Sequence, residues 1–130
     1  MFDDNFFNVE REFGQVCKQW LEESASELEA QVKRNSRVKS GDTKRSYSHV
    51  ITDNEAIVGS TMENAIWEEF GTGIYAIGGN GRKTPWIYED EKGNKVFTRG
   101  KTANKPMHNA RIALEPKIHK HLEELFKGLN

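Results

Sequence analysis

From Phe2 to Lys33 the chain has no proline, and apolar residues fall at Phe2, Phe6, Val9, Phe13, Val16, Trp20 and Leu28. Spacings of three and four place these on one face of a helix. Ser24 alone interrupts the series, and Phe7, Cys17 and Leu21 widen it. The opposite face carries Glu10, Arg11, Glu12, Lys18, Glu22, Glu23 and Glu27, as a solvated face should. Asp3 or Asp4 supplies an N-cap, and acids there suit the positive end of the helix dipole. Gly14 weakens such a helix by about 1 kcal/mol relative to alanine, which the long periodic run outweighs. The pattern predicts a long amphipathic N-terminal helix over 1–33, its stripe built for the core or a subunit contact.

The pattern then breaks. Lys33, Arg34, Arg37, Lys39, Lys44 and Arg45 surround a single acid, Asp42, among turn formers, which predicts an exposed basic loop over 34–45. Over 46–105 the period changes three times. Tyr47–Thr52 and Glu55–Ser60 flank Asp53-Asn54 and predict a hairpin. Thr61–Phe70 returns to helical spacing, with Met62, Ala65, Ile66 and Phe70 on one face and Trp67 beside them, and Gly71-Thr72-Gly73 stops it. Gly78-Gly79-Asn80-Gly81 is a second glycine-rich turn segment. Trp86-Ile87-Tyr88 and Lys95-Val96-Phe97-Thr98 flank an acidic turn in which Gly93 or Asn94 supplies a positive φ, predicting a second hairpin. Over 106–127, Ala110, Leu114, Ile118, Leu122 and Leu125 recur at helical spacing with Phe126 alongside, and Pro116 within them predicts a kink or a restart. This order gives an α+β single domain. The N-terminal and C-terminal helices pack on a small mixed or antiparallel sheet with a short central helix.

Composition sharpens that picture. At 130 residues the chain is one domain in size. With 35% hydrophobic and 30% charged residues and a mean hydropathy of −0.79, the core is expected to be modest. Either the fold is elongated or other copies or a partner supply stabilising contacts. Nineteen basic and twenty acidic residues leave a net charge of −1, so whole-protein charge is no argument for nucleic acid. No apolar run approaches the roughly 20 residues that span a bilayer, so no membrane partner is expected. The start Met1-Phe2-Asp3-Asp4-Asn5 lacks a signal peptide's basic and apolar regions. The lone Cys17 permits neither an intrachain disulfide nor a thiolate metal cluster. A soluble protein of a reducing compartment is expected.

Candidate chemistry is sparse. His49 and His108 are isolated, while His119 and His121 point roughly 200° apart on a helix rather than at one ion. Glu68-Glu69 and Glu89-Asp90-Glu91 pair carboxylates, but acid–base work needs opposed environments in a cleft, which adjacent residues rarely provide. Gly78–Thr84 departs from a phosphate-binding loop, because Arg82 precedes Lys83 and Pro85-Trp86 follow where a helix should open. No catalytic residue, cofactor or metal is expected. The rival reading is a small DNA-binding protein using Lys33, Arg34, Arg37, Lys39, Lys44 and Arg45, whose affinity falls steeply with salt. No aromatic residue is interleaved there to stack on bases. A hydrolase using Glu68 or Glu69 is a third reading that no sequence feature favours.

Three separated stretches resemble one family. Val38-Lys39-Ser40-Gly41-Asp42-Thr43-Lys44-Arg45-Ser46 is similar to its V-x-T-G-x-L-x-x-S opening. Val58-Gly59-Ser60 with Glu63-Asn64-Ala65-Ile66-Trp67-Glu68-Glu69-Phe70-Gly71-Thr72-Gly73 resembles its V-G-S…Y-A-x-x-x-E-F-G-T-G centre. Thr98-Arg99-Gly100, then Lys105-Pro106-Met107 and Ala110, resembles its T-x-G…x-P-F-L-x-x-A close. The family is the tail-completion, or head–tail joining, proteins of long-tailed bacteriophages and prophages. The likeness covers roughly residues 33–127. Ser40 stands for the usual Thr, Thr43-Lys44 for an apolar residue, Asn64 for Tyr and Met107-His108 for Phe-Leu.

The resemblance implies a compact α+β fold and a non-enzymatic virion protein, assembled in the host cytoplasm and located at the top of the tail. It implies a self-assembled ring, commonly hexameric, between the tail tube protein and the head–neck connector. Gly41, Trp67, Glu69, Phe70, Gly71, Thr72, Gly73, Gly100 and Pro106 become the motif and interface residues. Gly41 and Gly71 are expected to take positive φ or allow close chain approach. Trp67 and Phe70 are expected to anchor the short helix to the sheet or to a neighbour. Glu69 is expected to accept N–H groups of the Gly71–Gly73 turn. The Trp86–Thr98 hairpin is a candidate arm toward the next protomer, and the 33–45 loop is placed to meet passing DNA or an acidic partner.

Overall fold

The computed structural model describes residues 4–37, 41–90 and 92–128, with side chains from Glu10 onward. Asp3, Phe2 and the basic residue Lys39, with the side chains of Asp4, Phe6, Phe7 and Val9, lie outside what is described. Helix α1 spans Asp4–Asn35, carrying on past the expected end at Lys33. Ser24, the one break in the apolar stripe, is itself buried, so the packed face runs through it.

Helix α1 lies antiparallel to a C-terminal helix, α4, over Pro106–Lys127. Phe13 meets Phe126 with ring centroids 5.3 Å apart. Trp20 Nε1 donates to the Ile118 carbonyl at 2.8 Å, and Asn35 Nδ2 donates to the Pro106 carbonyl at 3.1 Å. Later positions on α1 thus meet earlier positions on α4. Pro106 occupies the first turn of α4, where its missing N–H leaves no intrahelical bond unmade. The helix continues through Pro116 without the restart that the sequence allowed.

Between these helices lie a short helix α2 (Asp42–Ser46), strands β1 (Ser48–Ile51) and β2 (Ala56–Gly59), and a helix α3 (Glu63–Phe70). A single 3-10 turn (Gly73–Tyr75) and strands β3 (Trp86–Glu89) and β4 (Lys95–Thr98) complete them. The sheet is two separate antiparallel ribbons. In the first, Ser48 faces Gly59 and Ile51 faces Ala56, with Thr52 N donating to the Glu55 carbonyl across the Asp53-Asn54 turn. It packs on α1, where His49 Nδ1 sits 3.2 Å from Glu29 Oε1. In the second, Trp86 faces Thr98 and Ile87 faces Phe97. Asp90 Oδ1 accepts the N–H groups of Lys92 and Asn94, and Gly93 takes the positive φ of 80°.

The core is small, as the composition implied. Val32, Tyr47, Ala65 and Ala110 form it with Leu28 and Met107 against them, and Ala25 and Leu114 extend it along α1 and α4. The Tyr47 phenol is buried beside Ser36; burial pushes its pKa up against the lowering influence of the Ser36 side chain, and the charges of Glu69 and Glu68 add to the rise. The α+β class and the two terminal helices stand as the sequence predicted. Two local readings change. The expected basic loop over 34–45 begins inside α1 and ends in α2, which Gly41 opens at φ 87° with Asp42 in its first turn. Helix α3 is rotated from the expected face: it buries Ala65, Glu68 and Glu69 and exposes Ile66, Trp67 and Phe70.

Candidate functional site

Two consecutive carboxylates on α3 hold the molecule's central joint. Glu68 is 2% exposed. Its Oε1 accepts from Arg37 Nε at 2.8 Å and its Oε2 meets Lys101 Nζ at 2.5 Å. Arg37 also donates to the Thr102 carbonyl at 2.6 Å, so one guanidinium ties the end of α1 to the segment leading into α4. The Glu68 carbonyl accepts the N–H groups of Asn104 and Lys105. Burial opposes ionisation of Glu68, but hydrogen bonds and charge from Arg37 and Lys101 outweigh it and hold the carboxyl below its ordinary value.

Glu69 corrects an expectation. Its Oε1 accepts Met107 N–H at 2.8 Å and its Oε2 accepts His108 N–H at 3.2 Å. It therefore caps α4, satisfying first-turn donors with a charge favoured by the helix dipole, rather than fixing the Gly71–Gly73 turn. Lys105, at φ 54° the one non-glycine residue with positive φ among those described, brings the chain into that cap.

The turn after α3 is held by the chain beyond β4. Thr72 N donates to the Lys101 carbonyl at 2.9 Å, Lys101 N to Thr72 Oγ1 at 2.9 Å, and Ile74 N to the Arg99 carbonyl at 3.1 Å. The backbones touch here. A Cβ on Gly73 would lie 2.1 Å from the Arg99 carbonyl oxygen, and one on Gly100 would lie 2.1 Å from that of Thr72. Gly71 turns the chain at φ 75°. Elsewhere Ser46 Oγ and Ser60 Oγ lie 2.6 Å apart, and Ser60 Oγ accepts the Met62 N–H. The three separated motif stretches thus meet in space: Ser46 with Ser60, Thr72 and Gly73 with Arg99 to Lys101, and Glu69 with the residues after Pro106.

Trp67 and Phe70 do not anchor α3 inward. Phe70 is 57% exposed and lies with Ile66 on one side of α3, while Trp67 lines an open cleft on the other. That cleft, about 1330 Å³, runs between α3, the Gly71–Gly73 turn and the β3–β4 ribbon, with Arg37, Glu68, Trp86 and Lys101 among its walls. The Arg82 guanidinium sits 5.5 Å from the Trp86 ring centroid. The β3–β4 ribbon keeps Trp86, Val96 and Thr98 half-buried and leaves Ile87 65% and Phe97 64% exposed.

The basic residues singled out for nucleic acid are dispersed. Lys33 pairs with Glu29, Arg34 donates to Gln31, Arg37 to Glu68, and Arg45 pairs with Asp42 at 2.5 Å. Lys44 is half-buried. His49 pairs with Glu29 and His121 with Glu23, joining α1 to β1 and to α4 respectively. Among the described residues no three His, Cys, Asp or Glu side chains are grouped to hold a metal, and no helix is long and apolar enough to cross a membrane.

Local sequence showed Glu69 and the glycines as notable. It gave no signal for Arg37, Lys101 or Asn104 as joint residues, because their partners are distant in the chain. Asn104 Nδ2, for instance, donates to the Asn35 carbonyl at 2.8 Å. No protein-family model, curated protein or solved structure matches the chain.

Proposed function

We propose that this chain is a non-enzymatic structural subunit of a long-tailed bacteriophage or prophage, completing the tail and joining it to the head–neck connector as a self-assembled ring. The observation that carries the reading is the placement of its apolar surface. Helix α3 turns its two carboxylates inward and its large apolar residues Ile66, Trp67 and Phe70 outward, and the β3–β4 ribbon leaves Ile87 and Phe97 uncovered. A small monomer gains nothing from such exposure, whereas an assembling subunit buries it against neighbours. The motif residues support the same reading. Glu69, Gly71, Thr72, Gly73, Gly100 and Pro106 are spent on backbone joints that fix where these surfaces point, not on an arrangement of reactive groups.

The partners on this reading are other copies of the chain, the tail tube protein and the connector, with passing DNA met only non-specifically. The test is genetic and visual. Disrupting the gene in the phage or lysogen that carries it should yield filled heads and separate tails by electron microscopy. Normal, joined, infectious particles would refute the proposal.

A further inference from the structure

We infer that the β3–β4 ribbon is an intersubunit arm whose Ile87/Phe97 face docks in the groove between β2, α3 and α4 of a second copy of this chain; the inference rests on the ring reading above and supplies its contact. Within one copy the ribbon has cover on one face only, where Trp86, Val96 and Thr98 are half-buried. A two-stranded hairpin alone is marginal in water, yet this one points Ile87 and Phe97, opposed across the strands, into solvent. The groove is the complementary vacancy. It is an open groove of about 650 Å³ lined by Val58, Ala65, Ile66, Phe70, Met107 and Ile118 among others, with no residue of the ribbon among its walls. The ribbon instead borders the cleft on the Trp67 side of α3, away from Ile66 and Phe70.

Charge complementarity favours this ribbon as the occupant. On the face that carries Ile87 and Phe97, the next pair along is Glu89 opposite Lys95. In the groove wall, α4 presents Arg111 and Glu115 one turn apart, both exposed and paired with each other at 3.7 Å. An inserted arm sets Glu89 against Arg111 and Lys95 against Glu115, an acid and a base meeting a base and an acid around an apolar centre. Arm and groove are different surfaces of one chain, so the contact is head to tail and every copy gives one arm and receives one.

Disulfide trapping tests this in a Cys17→Ser background. One tagged chain carries Phe97→Cys and a second, differently tagged, carries Phe70→Cys; both positions are exposed, so each variant should keep the wild-type circular dichroism. Ile66→Cys is a second acceptor, and Val50→Cys, exposed on the outer face of the first ribbon, is the control. Under mild oxidation the mixture should give a disulfide between the two tags with Phe70→Cys or Ile66→Cys, and lose it with Val50→Cys. In parallel, Phe97→Ser and Phe70→Ser should each abolish self-association alone, and mixed together should form a heterodimer through the one intact arm and groove. Cross-linking no better than the control, or assembly by Phe97→Ser at wild-type concentration, overturns the arm contact while leaving a ring open to another interface. A specific cross-link in a wild-type protein that stops at a closed dimer upholds the arm contact and overturns the ring.

Discussion

The molecule holds two antiparallel ribbons of equal strand length, and they have opposite fates. In β1–β2 the alternation works as in any half-buried sheet: His49, Ile51, Ala56 and Val58 turn toward the body while Val50 and Ile57 face out. In β3–β4 the same alternation leaves Trp86, Val96 and Thr98 half-buried, but no packing against α1 comparable to that of β1–β2 backs them. A ribbon's register is a local property of its turn and pattern, whereas its stability comes from what covers it. The second ribbon keeps its register while its cover comes, on the account proposed here, from another subunit.

Breaking the base of the second ribbon has the largest expected effect. Alanine at Gly73 or Gly100 drives a Cβ to 2.1 Å of a backbone oxygen at a positive φ, so each should lose about 3 kcal/mol or more in urea unfolding. Alanine at Gly93 in the ribbon's own turn meets only a side-chain oxygen at 3.5 Å and should cost about 1 kcal/mol.

Next come the carboxylates of α3, which belong to the body. Glu68→Gln leaves Arg37 and Lys101 without their charge partner and should cost about 2 kcal/mol, moderated because both cations are half-exposed. The pH dependence has a definite sign. The folded pKa of Glu68 is depressed, so its contribution is present above the unfolded carboxyl value and fades as pH falls through the folded one. Acid titration of stability should therefore be shallower in Glu68→Gln than in wild type. Glu69→Gln keeps an acceptor at the start of α4 but loses the charge, and should cost about 1 kcal/mol.

The smallest stability effects sharpen the comparison between ribbons directly. Val58→Ala, on the packed face of the first, should lose about 1 kcal/mol. Ile87→Ser or Phe97→Ser, on the open face of the second, should change monomer stability by no more than about 0.5 kcal/mol. Chemical denaturation at low protein concentration distinguishes them.

Much of this fold is legible from local pattern. The turns at Asp53-Asn54 and Gly93, the proline opening α4 and the stripe on α1 each follow from a rule acting within a few residues. Helix α3 shows where that reasoning ends. Over eight residues a 3.6-residue period does not determine which face turns inward, and the apolar face was the natural choice. The outcome was decided by groups far along the chain: Arg37 and Lys101 around Glu68, and the N–H groups of Met107 and His108 on Glu69. Helix α2 was hidden for a different reason, since it is short and polar and buries none of its residues, although Gly41 followed by Asp42 marks its start. Motif residues distant in sequence were visible as motifs, but their meeting in space was not.

The most direct test of an intersubunit arm is the mass of the protein in solution across concentration, by light scattering behind a sizing column, for wild type beside the Ile87→Ser/Phe97→Ser double variant. Wild type should pass from a single chain to one discrete ring as concentration rises, and the variant should stay a single chain with unchanged circular dichroism. A variant that assembles at the same concentration and to the same mass as wild type would contradict the account.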